Sequence, residues 1–418
     1  MSSNEKSLEL STRPAAEAYV SKVCFKLGPP ALIGAELEWL TALDDGTRPS
    51  LSSLATALGD HSPRSIAPES PALTLPGGSM VTVEPGGQVE LSSSPYTSVS
   101  DLAPMLDADA RLLRDMLEGS GISMLAVPAD TARAPERLLV LPRYCAMENR
   151  FTTIGPYGKL MMCNTAAAQV SVDAGRDRTE VAARWRMLHV IGPAFVAAFA
   201  RSPELEGAPE GVWASQRMRT WLELDSSRTD SSRTAVATTG DPIADYARWA
   251  LDVPLLCIMG VDQSWEAPVG TTFAQWLADP DVVGRAPTYG DLDYHLTTLF
   301  PQVRACGHLE IRYLDAQPDG QWVIPAAAFE ALLSTPELVA RATEIGAGTA
   351  GRWIDAARVG LGDRDLRTAA IELLDLAAGC GGEYADYLSA AARRCRAGDA
   401  PSEFDTASPD FQNRKESV

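Results

Sequence analysis

At 418 residues, 45% hydrophobic and 22% charged, the chain has the make-up of a soluble globular protein with material for one large core or two ordinary ones. A formal net charge of -19, with Lys and Arg scattered, excludes a nucleic-acid binder, which needs basic groups to meet phosphates. No apolar run reaches the roughly 20 residues of a membrane span and the start MSSNEKSLEL lacks a signal-peptide layout, so no membrane partner and a cytoplasmic location are expected. Seven widely spaced cysteines without a CxxC pair read as reduced thiols, and four histidines without HExxH spacing leave any metal to oxygen ligands.

In chain order, TRPAAEAYVSKVCF predicts a helix capped by Thr12, with Pro14 in its first turn. A first strand follows near ALIGAELEWL. Residues 44–76 are rich in Ser, Pro and Ala, with a short helix at LSSLATAL. The run MVTVEPGGQVEL reads as two strand pieces around Pro85-Gly86-Gly87, a turn whose glycines would let backbone approach a ligand closely. Next come a helix in SVSDLAPMLDADARLLRDMLEGSG, a strand at GISMLAVP, a helix at RYCAMENRF and a buried strand in MMCNTAAAQVSVD. A long apolar helix spans residues 179–199 with a kink expected at Pro193, and SSRTDSSRTAVATTGD reads as a mobile surface loop. Thereafter the pattern gives a strand at VPLLCIM, helices near TFAQWLAD and DLDYHLTTLF, and a strand at HLEIRYLD. Beyond about residue 325 only helices are predicted. The chain thus reads as α+β, with one domain over residues 1–400 and a polar, flexible tail over 401–418. Its sheet should be mixed or antiparallel, because its strands look liganded or solvated on one face.

Four strand segments place polar groups two residues apart: Glu36 and Glu38, Gln88 and Glu90, Gln169, Ser171 and Asp173, Glu310 and Arg312. Side chains alternate across a strand, so each set projects to one face while Leu37, Val89, Val170 and Ile311 project to the other. Taken singly, each set also fits an ordinary solvated strand face. Together they predict a carboxylate-lined face, and buried like charges need a cation. A divalent metal holding a nucleotide is the natural neutraliser. Gly346-Ala347-Gly348-Thr349-Ala350-Gly351 fits GxGxxG but follows a helix, so it reads as a helix stop. With no GxxxxGK[ST] loop, phosphates would be held by metal and side chains. His295 reads as structural, and Cys163 and Cys306 as inert thiols in buried strands.

The stretches IGAELEW, VEPGGQVELS, RYCAM, AAAQVSVD, DYARWALDVP and HLTTLFPQVRACGHLEIRYLDAQP resemble the plant-type branch of the glutamate-cysteine ligases, nearest to its actinobacterial members serving ergothioneine synthesis. The resemblance implies a curved, mostly antiparallel, glutamine synthetase-like sheet flanked by helices. It also implies ATP and Mg2+, with L-glutamate and L-cysteine as substrates. Carried over by position, Glu36, Glu38, Glu84, Glu90 and Glu310 would ligate Mg2+, and Arg312 with Glu310 would be catalytic. Arg312 and Gln169 would touch ATP, while Gln88, Arg143, Gln169, Ser171 and Arg217 would serve substrate. Tyr313 departs from the family's glycine after Glu-x-Arg. A sister ligase joining glutamate to another amine, or an acidic binding protein without catalysis, are the competing readings. The sequence leaves the oligomeric state open, a monomer included.

Overall fold

The computed structural model describes residues 7–28, 31–229, 240–260 and 265–402. Helix α1 (Arg13–Cys24) starts where Thr12 caps Ala15 N, with proline in its first turn. Strand β1 (Ile33–Leu43) follows, then α2 (Leu51–Leu58). Strands β2 (Met80–Val83) and β3 (Val89–Ser92) form an antiparallel hairpin around the Pro-Gly-Gly turn. Next are α3 (Val99–Glu118), capped by Ser98, and β4 (Ile122–Leu125). Helices α4 (Pro142–Thr152) and α5 (Tyr157–Asn164) lead into β5 (Ala167–Val172) and α6 (Arg178–Phe199), which contains Pro193. After α7 (Gln216–Leu224), α8 (Ser226–Thr229), α9 (Pro242–Asp252), α10 (Phe273–Ala278) and α11 (Tyr289–Leu296), the chain forms β6 (Val303–Ala305) and β7 (Leu309–Asp315). From Val323 to Ala397 the named elements are helical.

The sheet order is β2-β3-β1-β5-β7-β6, with β4 pairing the far half of β1, and every strand pair is antiparallel. One face carries Leu37, Trp39, Val89, Leu91, Val170 and Ile311 into a core shared with α3 and α6. Burying each such side chain contributes about 1.5–3 kcal/mol, which fixes the register because a one-residue slip would turn every apolar group to the wrong face. The opposite face is therefore obliged to be polar. Among the described residues no single helix is long and apolar enough to cross a membrane.

Several expectations need correction. MMCN belongs to α5 and not to a strand, so the strand begins only at Ala167. VPLLCIM is irregular, touching its neighbours through isolated bridges of Pro254 with Thr272 and Cys257 with Glu266. Cys163 is buried in α5, whereas Cys306 is exposed in the β6–β7 turn. The Ser/Thr/Arg-rich segment begins with α8, where Arg228 is fully buried on Asp225, Thr298 and Pro254, and its residues 230–239 lie outside the described residues. Most of the predicted tail, residues 403–418, also lies outside them.

Candidate active site

Strand register assembles the polar face. Glu36 stands opposite Gln169 and Ser92, Glu38 opposite Glu90, Glu90 opposite Thr82, and Ser171 opposite Glu310. Because side chains at paired positions share a face, segments up to 274 residues apart in sequence bring their carboxylates together. The register break between Ala168 and Val170 locally bends β5 beside Gln169.

Each carboxylate has a distinct setting. Glu38 accepts Ala167 N at 2.8 Å and Gln169 Nε2 at 3.1 Å. Glu90 accepts the Thr82 hydroxyl at 2.6 Å. Glu84 sits in the β2–β3 turn, closed by its own backbone with Gly87 and Gln88. Burial, then repulsion from Glu310 and Glu90, pushes Glu36 up to about 8. Burial and Glu38 push Glu90 up to about 7. Burial also raises Glu38, against the pull of Arg217, and raises Glu84, reinforced by Glu90. These groups crowd one another without enough positive charge to ionise freely.

Glu310 behaves oppositely. Burial alone would raise it, but Arg304 and Arg312 override that and hold it at about 2. Arg304 Nη2 reaches one oxygen at 2.9 Å and Arg312 Nη1 the other at 2.6 Å. Glu310, expected as a metal ligand, here anchors two arginines and keeps residual acceptor capacity. Arg304 was missed because β6 is three residues long, yet centring a hairpin on Cys306-Gly307-His308 puts Arg304 opposite Glu310.

Arg312 lies over the Trp221 ring at 5.0 Å, and Arg217 over the same ring at 5.7 Å. Arg217 Nη2 also donates to Arg312 O at 2.9 Å. Helix α7, which carries Arg217 and Trp221, is fixed by its cap: Ser215 donates to Asp315 Oδ1 at 2.7 Å and Ser202 to Oδ2 at 2.8 Å. The end of β7 thereby sets the start of α7. Trp221 was another residue the sequence reading passed over, because QRMRTWLEL carries no spacing that distinguishes a packing indole from a site indole.

Gln88 and Arg143, both expected to serve substrate, make protein contacts of their own. The Gln88 amide nitrogen donates to Thr165 O at 3.0 Å and its oxygen accepts Gly86 N at 3.0 Å, tying the hairpin turn to the end of α5. Gly86 likewise serves packing, since a Cβ there would come within 2.3 Å of Cys163 O, and Gly87 has φ +87°. Arg143 is brought near Glu84, but both its Nη groups donate to Thr297, at 2.6 and 2.9 Å. Ser171 is half-buried on the polar face. His295 is structural, its Nε2 bonded to Ala250 O at 2.7 Å. Tyr313 packs into the core, its hydroxyl donating to Leu188 O at 3.2 Å.

Among the described residues no three carboxylate, imidazole or thiol groups close tightly enough to hold a metal alone. Mg2+ does not demand such a cage: it keeps waters and commonly takes one or two carboxylates plus substrate phosphates. The donor set fits that use. Gln169 Oε1 is a buried acceptor without a partner, beside carboxylates that repel one another. Arg312 Nε is a buried donor without one. Both are polar atoms prepared for a group that the protein does not itself supply. A cavity of about 290 Å³ lies between β1, at Leu37, Glu38 and Trp39, and α3. Convergent carboxylates and guanidiniums make the polar sheet face the candidate site.

The profile of glutamate-cysteine ligase family 2 matches residues 32–407. Glutamate-cysteine ligase EgtA of Mycolicibacterium smegmatis is 39% identical over 381 residues, covering 89% of this chain and 85% of that protein. The chloroplastic glutamate-cysteine ligase of Arabidopsis thaliana is 31% identical over 246 residues, covering 58% of this chain and 46% of its own length. A glutamate-cysteine ligase from Francisella tularensis, solved in complex with AMP, shares the fold with a TM-score of 0.53 at 13% identity, covering 94% of this chain and 86% of that one. The chain belongs to glutamate-cysteine ligase family 2.

Proposed function

We propose that this protein is an ATP-dependent ligase joining the γ-carboxylate of L-glutamate to the amine of L-cysteine, and that its γ-glutamylcysteine feeds ergothioneine synthesis. The observation that carries the reading is the convergence of Glu36, Glu38 and Glu90 on one sheet face beside Arg304, Arg312 and Arg217. EgtA relatives support the pathway assignment.

A carboxylate and an amine form a salt at neutral pH, so the acyl group must be activated first. The γ-carboxylate oxygen attacks the terminal phosphorus of ATP, ADP leaves, and a γ-glutamyl phosphate results. That step needs charge neutralisation and alignment far more than covalent help from protein. Arg312, its plane set by Trp221 and one Nη held on Glu310, presents its unpaired Nε edge to phosphoryl oxygens. Arg217 and Arg143 supply further positive charge for substrate carboxylates, with Gln169 and Ser171 as polar neighbours. Bound Mg2+, for which Glu36, Glu38, Glu84 and Glu90 are the candidate ligands with Glu310 beside them, would neutralise the phosphate tail. The cysteine amine then attacks the acyl carbon and phosphate departs.

Phosphate release measured with glutamate, ATP and Mg2+ tests this reading. Release that accelerates with cysteine, with γ-glutamylcysteine found by mass spectrometry, supports it. Acceleration by a different amine and not by cysteine would reassign the protein to a sister ligase, and absence of any Mg-ATP binding would remove the catalytic reading altogether.

A further inference from the structure

The cavity is walled by β1, the strand that carries Glu36 and Glu38, through Leu37, Glu38 and Trp39. Its floor is largely apolar, with Leu37, Trp39 and Ala168 beside Glu38. Its opposite wall is α3, which turns Asp107, Arg111 and Arg114 toward it at i, i+4 and i+7, one side of the helix. These three charges are not equally engaged. Arg114 is taken up by Met124 O at 2.8 Å and Asp319 at 2.6 Å. Asp107 accepts Trp322 Nε1 at 2.8 Å through Oδ1 alone. Arg111 is exposed and has no hydrogen-bond or ion-pair partner among the described residues.

We infer that this cavity binds an α-amino acid with an apolar side chain, its carboxylate on Arg111, its ammonium on the open oxygen of Asp107, and its side chain on Leu37 and Trp39. An (i, i+4) pair of opposite charges places a donor and an acceptor about 5–6 Å apart at their roots, the separation that brackets a zwitterion. The floor excludes glutamate, since a second carboxylate would be desolvated against Leu37 and Trp39 and repelled by Glu38. The volume suits a ring: about 290 Å³ exceeds what aliphatic side chains would fill. Occupation would press on Leu37 and Ala168, which face each other across the β1–β5 pair flanking Glu36, Glu38 and Gln169. The site is thus an effector site that borders the carboxylate face at Glu38, with its ligand held by the charges of α3 and not by that face's carboxylates.

Calorimetric titration of the whole protein with L-phenylalanine tests the inference, using phenylpropionate, which lacks the ammonium, and phenethylamine, which lacks the carboxylate, as comparison probes. Saturable L-phenylalanine binding is expected, with each comparison probe at least about tenfold weaker, the equivalent of about 1.4 kcal/mol for one lost charge-assisted contact. Arg111→Ala should weaken L-phenylalanine by a similar factor, and Ala110→Leu, whose added bulk enters the cavity, should abolish binding. Arg111 is exposed, so its variant should melt like the parent even if Ala110→Leu does not fold. Absence of saturable heat at millimolar L-phenylalanine, unchanged affinity in Arg111→Ala, or equal affinity for phenylpropionate would each overturn the inference. The readout is binding heat without ATP, so it stands or falls independently of the ligase assignment.

Discussion

Replacing Glu310 with Gln removes the charge that holds two buried guanidiniums. Glu310 is 1% exposed, and its oxygens lie 2.6 Å from both Arg304 and Arg312. The cost can be reached by two routes. A carboxylate lowered from 4.5 to about 2 contributes about 3 kcal/mol to stability at neutral pH. Breaking one member of a buried ion pair costs about 3–5 kcal/mol, because the partner is left as an uncompensated charge. The two agree, and burial means solvent screening needs no discount. The sign follows: a depressed carboxylate gives stability above the ordinary value of 4.5, lost as pH falls through about 2. Urea unfolding at neutral pH should therefore show Glu310→Gln destabilised by about 3 kcal/mol. The double variant Glu310→Gln with Arg304→Met should recover part of that loss, since one orphaned cation is gone. A single-variant change below about 1 kcal/mol would mean the guanidiniums are well solvated and the clamp is not real.

Other perturbations separate charge from geometry. Arg312→Lys keeps the charge but loses the planar fork, and turnover should fall by about a hundredfold or more in a steady-state phosphate-release assay. Trp221→Leu should lower turnover by about tenfold to a hundredfold through misplacement of Arg312, with Trp221→Phe retaining most of the rate because a ring face remains; equal rates in all three proteins would remove the positioning role. Glu36 at about 8 and Glu90 at about 7 bind protons more tightly folded than unfolded, so metal-free protein should lose stability, on the order of a few kcal/mol, as pH rises from about 5 to about 8.5. Urea midpoints across that range check it, and a midpoint that is flat or rises would show that the carboxylates are already neutralised.

Much of the polar face was legible because its signal is the two-residue period of a strand, which geometry forces. Glu36 with Glu38, and Glu310 with Arg312, needed only alternation, and Pro-Gly-Gly placed the hairpin between Glu84 and Glu90. The pairing order was not legible, since register depends on which apolar faces meet in three dimensions. Runs such as MMCN and VPLLCIM misled for the same reason: a short apolar stretch has no period to separate a helix or an irregular buried segment from a strand. Gln88 shows a different limit of pattern reading. Its alternation with Glu90 is real, but its amide is consumed by the turn's own backbone, a local demand that pattern reading does not weigh. Trp221 meets Arg312 far along the chain, which no local pattern marks; Arg304 meets Glu310 across a tight hairpin whose three-residue strand is too short to show an alternation.

The most direct measurement incubates the protein with ATP, Mg2+, L-glutamate and L-cysteine and quantifies γ-glutamylcysteine by mass spectrometry, beside folded Glu36→Gln and Glu90→Gln variants. γ-Glutamylcysteine from the parent and a drop of several orders of magnitude in both variants is expected. Parent-level product from both variants, or none from the parent, would mean that the carboxylate face does not hold the reacting nucleotide.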